Sequence, residues 1–207
     1  MIQAITKHVT FDEFIAWYPE NSPTRYELHN GVIVEMPKPT GKHSEVAGFL
    51  NIEIGVTCRL AQFPYFIPRE CVVKPDPLES GYEPDVIVLD RLAIANEPRW
   101  EAESIITSGS SVRLIVEVVS TNWSDDYAVK LEDYEAMGIQ EYWIVDYLGL
   151  GGRRYIGNPK RPTLSVHQLV NREYQVKQFR ERDRIASITF PQLNLTAEQI
   201  FRAGESS

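Results

Sequence analysis

Residues 112–119 read VRLIVEVV, and this stretch decides the fold. From Leu114 to Val119 it is apolar on both faces except at Glu117, which is typical of a central strand covered by other elements on each side. A buried carboxylate without a partner costs several kcal/mol, so Glu117 needs a cation, a hydrogen-bond network or a proton. An internal arginine would satisfy that need and give Glu117 a purely structural role.

A helix and a second strand follow this stretch. Residues 124–137 carry Asp125 and Asp126 in the first turn and have Gly138 just past the end, which predicts a helix. Residues 139–146, IQEYWIVD, predict a strand. A strand–helix–strand crossover implies a parallel pair within a mixed sheet, so the predicted class is α/β with helices flanking a mixed central sheet.

Turn signals and apolar spacing predict the remaining elements. These are a short helix opened at Thr10 by a capping box and ending before Pro19, a hairpin at 26–36 around Asn30-Gly31, a helix containing Val46, Leu50 and Ile54, strands at 65–74 and 84–90, a hairpin of strands at 164–170 and 174–179, and a terminal helix at 196–202. We expect one domain over 1–207, with a core at about 25–146 and a C-terminal hairpin and helix at 151–207.

The composition is that of an ordinary globular protein. The chain has 207 residues, of which 43% are hydrophobic and 24% charged, which argues against long disorder. The longest apolar runs are strand-sized, and the N-terminus lacks the apolar core of a signal peptide. We therefore predict a cytoplasmic protein without a membrane segment, in which Cys58 and Cys71 are reduced and buried.

The charge of −8 is unevenly distributed. Residues 151–184 contain nine Lys or Arg and three Asp or Glu, a net of +6, so the rest of the chain carries −14. Overall acidity counts against nucleic-acid binding, but this segment allows a basic surface, with Arg153, Arg154, Lys160 and Arg161 as candidate DNA contacts. The alternative is a solvated hairpin with alternating charges.

Two further charged residues break their local patterns. Asp85 follows Pro84 at the leading edge of a predicted strand, where an Asp often caps a turn or accepts a backbone N–H. Lys130 falls between Tyr134 and Met137 on the apolar face of the predicted helix. The ordinary explanation for Lys130 is a side chain that reaches water from the edge of that face, with Asp126 or Asp133 nearby.

Together these residues form a set suited to one chemistry. Two carboxylates on neighbouring strands repel each other unless a divalent cation lies between them. Asp85 and Glu117 would hold Mg²⁺ with room for water and a phosphate, and Lys130 would orient the attacking water or stabilise developing charge. The residues therefore predict metal-assisted hydrolysis of a phosphodiester.

The chain also resembles a known family. Pro84-Asp85 followed by Glu117-Val118-Val119 resembles the PD-(D/E)XK nuclease pattern. More closely, the chain resembles the Uma-two family of restriction-endonuclease-like proteins from about residue 10 to residue 146. The motifs that carry this resemblance are YELHNGVIVEM, EPDVIVLD, LIVEVVS, the helix with Asp126, Lys130 and Tyr134, and GIQEYWIVD. This resemblance implies a restriction-endonuclease-like fold, Mg²⁺- or Mn²⁺-dependent DNA cleavage leaving a 5′-phosphate, and a homodimer.

One position departs from the superfamily pattern. Its lysine belongs two residues after the glutamate, where this chain has Val119, and Lys130 on the following helix would take its place. The resemblance also assigns Glu27 as a further catalytic acid, whereas strand alternation leaves exposure open. It marks His43 as an accessory residue, whereas a core histidine bonded to a backbone carbonyl is the alternative.

Two other functions remain open. The acidic balance and Val119 favour a catalytically inactive protein on the same fold that binds nucleic acid or protein. Hydrolysis of another phosphoester is the third candidate. The chain has no G-x-x-x-x-G-K-[ST], H-E-x-x-H or G-x-S-x-G motif, which disfavours nucleotide-driven motors, zincins and α/β-hydrolases.

Overall fold

The computed structural model describes residues 8–19, 22 and 24–205. The helices are α1 (Phe11–Trp17), α2 (Gly41–Leu60), α3 (Trp100–Glu103), α4 (Lys130–Ala136), α5 (Arg153–Ile156) and α6 (Ala197–Arg202). The strands are β1 (Arg25–His29), β2 (Val32–Met36), β3 (Tyr65–Phe66), β4 (Val72–Val73), β5 (Val86–Asp90), β6 (Ile105–Ile106), β7 (Val112–Val118), β8 (Glu141–Asp146), β9 (Thr163–Val170) and β10 (Glu173–Phe179). Short 3₁₀ turns lie at Ile94–Asn96 and Gly109–Ser111, and a π-helical turn spans Asp125–Val129.

The central sheet is mixed, with the strand order β10-β9-β8-β7-β5-β3. Strands β7 and β8 are parallel, and the other neighbours in this sheet are antiparallel. The parallel pair is joined through the π-helical turn and α4, as the predicted crossover requires. The predicted α/β class is therefore confirmed, with β7 in the interior of the sheet.

Apolar residues of β7 pack on both faces of this sheet. Val116 and Val118 join a core that includes α2, whereas Ile115 joins a second core on the face covered by α4. Glu117 shares the face of Ile115, because side chains alternate along a strand. Residues 112–118 thus form a central strand with one carboxylate, that of Glu117, on the face covered by α4.

The local turn and capping signals are also confirmed. Thr10 caps α1 in a capping box with Glu13, and the hairpin β1–β2 turns at Asn30 and Gly31, which both have positive φ. Cys58 and Cys71 are buried and free, as predicted. Within the described part of the chain, no helix is long and apolar enough to cross a membrane.

Two predicted elements differ in detail from the structure. The expected single strand at 65–74 is broken near Pro68, so that β3 pairs with β5 while β4 pairs with β6 in a separate small sheet. The predicted helix at 124–137 is present, but its residues Asp125–Val129 form the π-helical turn. Sequence reasoning also missed α3, β6 and α5, which are too short to show a periodic pattern.

The buried His167 makes the stability of the fold depend on pH. Its ring stacks on Tyr142, and burial lowers its pKa to about 4. The unfolded chain therefore binds a proton that the folded chain resists, so the free energy of unfolding falls as pH drops from about 6.5 toward 4. The free energy of unfolding of His167→Phe minus that of the wild type should therefore be about 2 kcal/mol larger at pH 5 than at pH 8. Urea denaturation of both proteins at both pH values measures this difference, and the same difference at pH 5 and pH 8 would contradict the prediction.

Candidate active site

A cavity of about 280 Å³ opens where β7 ends and β5 begins. Its lining combines residues from β1, α2, β7 and the π-helical turn. The acidic and basic side chains among the lining residues are Arg25, Glu27, Lys38, His43, Glu83, Asp85, Glu117, Asp125, Asp126 and Lys130. The cavity therefore contains Asp85, Glu117, Lys130, Glu27 and His43, the five residues that the sequence analysis assigned to one site.

Asp85 and Glu117 meet because their strands pair. Val86 lies opposite Val116 in the antiparallel ladder, and the same register continued by one residue places Asp85 opposite Glu117. Asp85 Oδ2 accepts the backbone N–H of Val118 at 2.8 Å, as the ordinary reading of this Asp required. Both carboxylates nevertheless line the same cavity, so they are not on opposite faces of the sheet.

Lys130 is the cation that compensates Glu117. Its side chain is only 3% exposed, and its Nζ lies 3.1 Å from Glu117 Oε1 and 3.0 Å from Glu27 Oε1. Asp126 Oδ1 lies 3.7 Å from the same nitrogen. Lys130 therefore does not extend into water. It provides the buried positive charge beside Glu117 that an internal arginine would otherwise supply.

The π-helical turn places Asp126 and Lys130 together. The backbone N–H of Lys130 donates to the carbonyl of Asp125, which widens this turn by one residue. In a regular helix Asp126 would lie outside the apolar face, but here it is buried beside Lys130. Such single widened turns are frequent at functional sites.

Glu27 is buried, so the alternative of exposure was wrong. It is 1% exposed on β1 and receives hydrogen bonds through both carboxylate oxygens. Its Oε1 accepts the backbone N–H of Glu83 at 3.1 Å as well as the Lys130 ammonium, and its Oε2 lies 3.0 Å from His29 Nε2. The N-terminal hairpin thus contributes an acid to this cluster.

The two glutamates that share the Lys130 ammonium differ in pKa. Burial raises the pKa of Glu117 to about 7, aided by the Asp85 and Glu27 charges and opposed by Lys130. Burial would also raise the pKa of Glu27, but Lys130 and the His29 hydrogen bond outweigh it and lower the pKa to about 2. The neighbouring carboxylates raise the pKa of Lys130 despite its burial, so the amine stays protonated. Burial likewise raises the pKa of Asp126.

His43 combines the two roles considered for it. Its Nε2 lies 2.9 Å from the carbonyl oxygen of Val118, as expected of a core histidine. The same nitrogen lies 3.2 Å from Asp85 Oδ2. Burial would lower the His43 pKa, but these two acceptors and the Glu117 charge raise it. His43 therefore holds the end of β7 and the Asp85 carboxylate in one arrangement.

Sequence reasoning missed two members of this cluster. The sequence suggested Asp126 only as a possible neighbour of Lys130, and it placed Tyr134 on the apolar face of its helix. Tyr134 is fully buried, but its hydroxyl also donates to Glu117 Oε1 at 3.3 Å. The spacing of four residues from Asp126 to Lys130 and from Lys130 to Tyr134 was the available signal. Trp143 packs in the core, with its Nε1 donating to Glu141.

The donor set of the cavity fits a hard divalent cation. Within the described part of the chain, no residue donates a hydrogen bond to Asp85 Oδ1 or Glu117 Oε2. No three His, Cys, Asp or Glu side chains form a ready metal cluster among the described residues. Two carboxylates completed by water and phosphate oxygens are nonetheless the usual protein share of a Mg²⁺ site.

A family model matches most of this chain. The Uma2 (Uma-two) model, described as "Putative restriction endonuclease", matches residues 11–198. The chain belongs to the Uma2 family. This confirms the resemblance seen in the motifs, and the match extends well beyond residue 146 into the C-terminal hairpin and helix.

The fold of this Uma2 family member is also found in a solved structure. A protein from Anabaena variabilis ATCC 29413, described as a putative nuclease belonging to DUF820, superposes with a TM-score of 0.69 at 21% identity. The alignment covers 95% of this chain and 99% of that chain, so the restriction-endonuclease-like architecture is shared along nearly the whole length. No functionally curated protein matches the chain.

The four predicted DNA-contacting residues of this Uma2 protein are exposed near one side of the cavity. Arg153 and Arg154 lie on α5, and Lys160 donates to the carbonyl of Leu150, which lines the cavity. Arg161 lies 3.7 Å from Glu181, so its charge is partly compensated. The structure places these residues on the surface beside the cavity, and their contact with DNA remains a prediction.

Proposed function

We propose that this Uma2 protein is a Mg²⁺- or Mn²⁺-dependent endonuclease that hydrolyses DNA phosphodiester bonds. The observation that carries the proposal is the pairing of Asp85 and Glu117 in one cavity with the buried Lys130 ammonium beside them. Membership of a restriction-endonuclease family supports a nuclease. Asp85 and Glu117 would hold the metal, with Glu27 completing the acidic cluster.

The residues of the cavity would have different roles in the reaction. A bound divalent cation would lower the pKa of a water molecule and offset charge on the phosphate. Lys130 is held protonated by Glu27, Glu117 and Asp126, so it acts as a hydrogen-bond donor and fixed positive charge rather than as a base. His43 keeps the Asp85 carboxylate in place through its contacts with Asp85 and Val118.

The proposed partner is DNA. Arg25 and Lys38 line the cavity and supply positive charge near the carboxylates, and Arg153, Arg154, Lys160 and Arg161 would extend it. These cations could contact phosphates on either side of the scissile bond. A homodimer and a cytoplasmic location stay predictions from the sequence.

A plasmid-nicking assay tests the proposed function. Purified protein should convert supercoiled plasmid to nicked and linear forms with Mg²⁺ or Mn²⁺, and EDTA should abolish the conversion. The variant Asp85→Asn should lose activity because one of the two metal-binding carboxylates becomes an amide. Parallel assays with RNA and with a small phosphodiester separate a DNA nuclease from hydrolysis of another phosphoester.

One observation favours a non-catalytic alternative. The superfamily lysine position is Val119, which is buried, and the Lys130 ammonium already neutralises Glu27 and Glu117 without a metal. A protein that only binds nucleic acid or protein through this fold should show no shift of its melting temperature with Mg²⁺ or Mn²⁺. A metal-dependent rise in melting temperature together with nicking would exclude that alternative.

A further inference from the structure

A second cavity, of about 550 Å³, lies at the far end of α2 and β5 from the candidate active site. Strand β5 begins after Asp85 at the active site and ends before Arg91, which lines this second cavity. Its lining contains Arg59 from α2, Arg69 from the loop after β3, and Arg91, with no Asp or Glu among the described lining residues. We call this cavity the arginine groove.

The positive charge of the arginine groove is largely uncompensated. In the described part of the chain, no carboxylate oxygen lies within 4.0 Å of the guanidinium nitrogens of Arg59 or Arg91. Arg69 lies 3.2 Å from Glu70, but both side chains are strongly exposed, so this ion pair is weak. In a protein with a net charge of −8, a cluster of unpaired guanidinium groups indicates an anionic ligand.

Contact with an aromatic ring holds one arginine of the arginine groove in place before any ligand binds. The Arg91 guanidinium lies 4.6 Å from the centre of the Phe66 ring, which packs edge-on against Trp100. This cation–π contact restricts Arg91 and lowers the entropy lost on binding. The groove thus offers positive charge that is partly held in place before binding.

Strand β5 sets the distance between the candidate active site and the arginine groove. Asp85, which lines the active-site cavity, directly precedes the strand, and Arg91, which lines the groove, directly follows it. Asp85 and Arg91 are therefore about 20 Å apart, at roughly 3.3 Å per residue of extended strand. At about 3.4 Å per nucleotide along one strand of DNA, this length corresponds to roughly six nucleotides.

We propose that the arginine groove binds backbone phosphates of a DNA strand about six nucleotides from the phosphate in the active site. The proposal rests on the proposed function for the identity of the ligand. It differs from the surface around α5, because it places the DNA toward the edge strand β3 and the C-terminal end of α2. An acidic protein segment is the competing ligand for the same charges.

The test is binding of a fluorescent 24-base-pair duplex in EDTA, measured by anisotropy at several salt concentrations. The double variant Arg59→Ala/Arg91→Ala removes two phosphate contacts, which should lower the slope of log K against log salt by about 1.8. Loss of these two contacts should weaken binding of the double variant by roughly 60-fold relative to the wild type at 0.1 M salt. In cleavage assays the variant should raise KM with little change in kcat, because these arginines lie far from the reacting atoms.

Two further variants control for folding and for bulk charge. Arg59→Lys/Arg91→Lys keeps both charges and should retain most of the salt slope. Arg172→Ala/Arg184→Ala removes two exposed arginines outside the groove and should bind nearly as the wild type does. Wild-type affinity and slope in the Arg59→Ala/Arg91→Ala variant would overturn the proposal, as would tighter binding of poly-glutamate than of DNA.

The two proposals can fail separately. Wild-type protein that binds DNA with the expected salt slope but cleaves none would refute the nuclease and leave the arginine groove supported. Wild-type protein that cleaves DNA, with the Arg59→Ala/Arg91→Ala variant binding equally well, would refute the arginine groove alone.

Discussion

Glu117→Gln is expected to reduce Mg²⁺-dependent nicking by about a thousandfold or more. Glutamine keeps the size of the side chain but removes one of the two carboxylates that would hold the metal. Metal ligation contributes several kcal/mol to stabilising the transition state, and about 1.4 kcal/mol corresponds to a tenfold rate. Nicking rates at saturating Mg²⁺ measure the loss, and calorimetric titration with Mg²⁺ should show weakened binding.

Glu141→Gln is the matched control for this variant. Glu141 is fully buried on the adjacent strand β8, where it accepts hydrogen bonds from Trp143, Ser187 and Thr189 outside the active-site cavity. Its loss should affect stability while leaving the activity of the folded fraction within a few-fold of wild type. Equal nicking by the wild type and Glu117→Gln would show that the assigned carboxylates do not carry the activity.

Lys130→Met is expected to lower both activity and stability. Methionine fills the space of the lysine stem but leaves Glu27, Glu117 and Asp126 buried without their shared cation. Removing one partner of a buried ion pair costs about 3–5 kcal/mol, so urea denaturation at pH 8 should show a loss in that range. Loss of a fixed charge beside the reacting phosphate should slow nicking by roughly a hundredfold or more.

The pH dependence of the Lys130→Met variant provides a second measurement. Without the ammonium, the buried carboxylates prefer their protonated forms, so the folded variant binds more protons than the unfolded chain. Its stability deficit should therefore shrink as pH falls from 8 to 6. Lys42→Met, which removes an exposed lysine of α2, should change neither stability nor activity appreciably. A stable Lys130→Met variant at pH 8 would contradict the role assigned to the ammonium.

The candidate site was partly accessible from the sequence because some of its members break strong local patterns. Glu117 interrupts an apolar strand, and Lys130 interrupts the apolar face of a helix, so each required a partner wherever the chain placed it. Asp126 and Tyr134 gave no such conflict. An acid in the first turn of a helix and a tyrosine on an apolar face both have ordinary explanations.

The sequence by itself determined that β7 is apolar on both faces, and it also determined the turn at Asn30-Gly31, the capping of α1 and the order of the motifs that mark the Uma2 family. Each of these depends on residues that are neighbours in the chain. Only the tertiary structure decided that Lys130 bridges Glu27 and Glu117, because Glu27 lies 103 residues from it along the chain. It also decided the π-helical turn that buries Asp126, since this turn departs from the regular helix that the local sequence predicts.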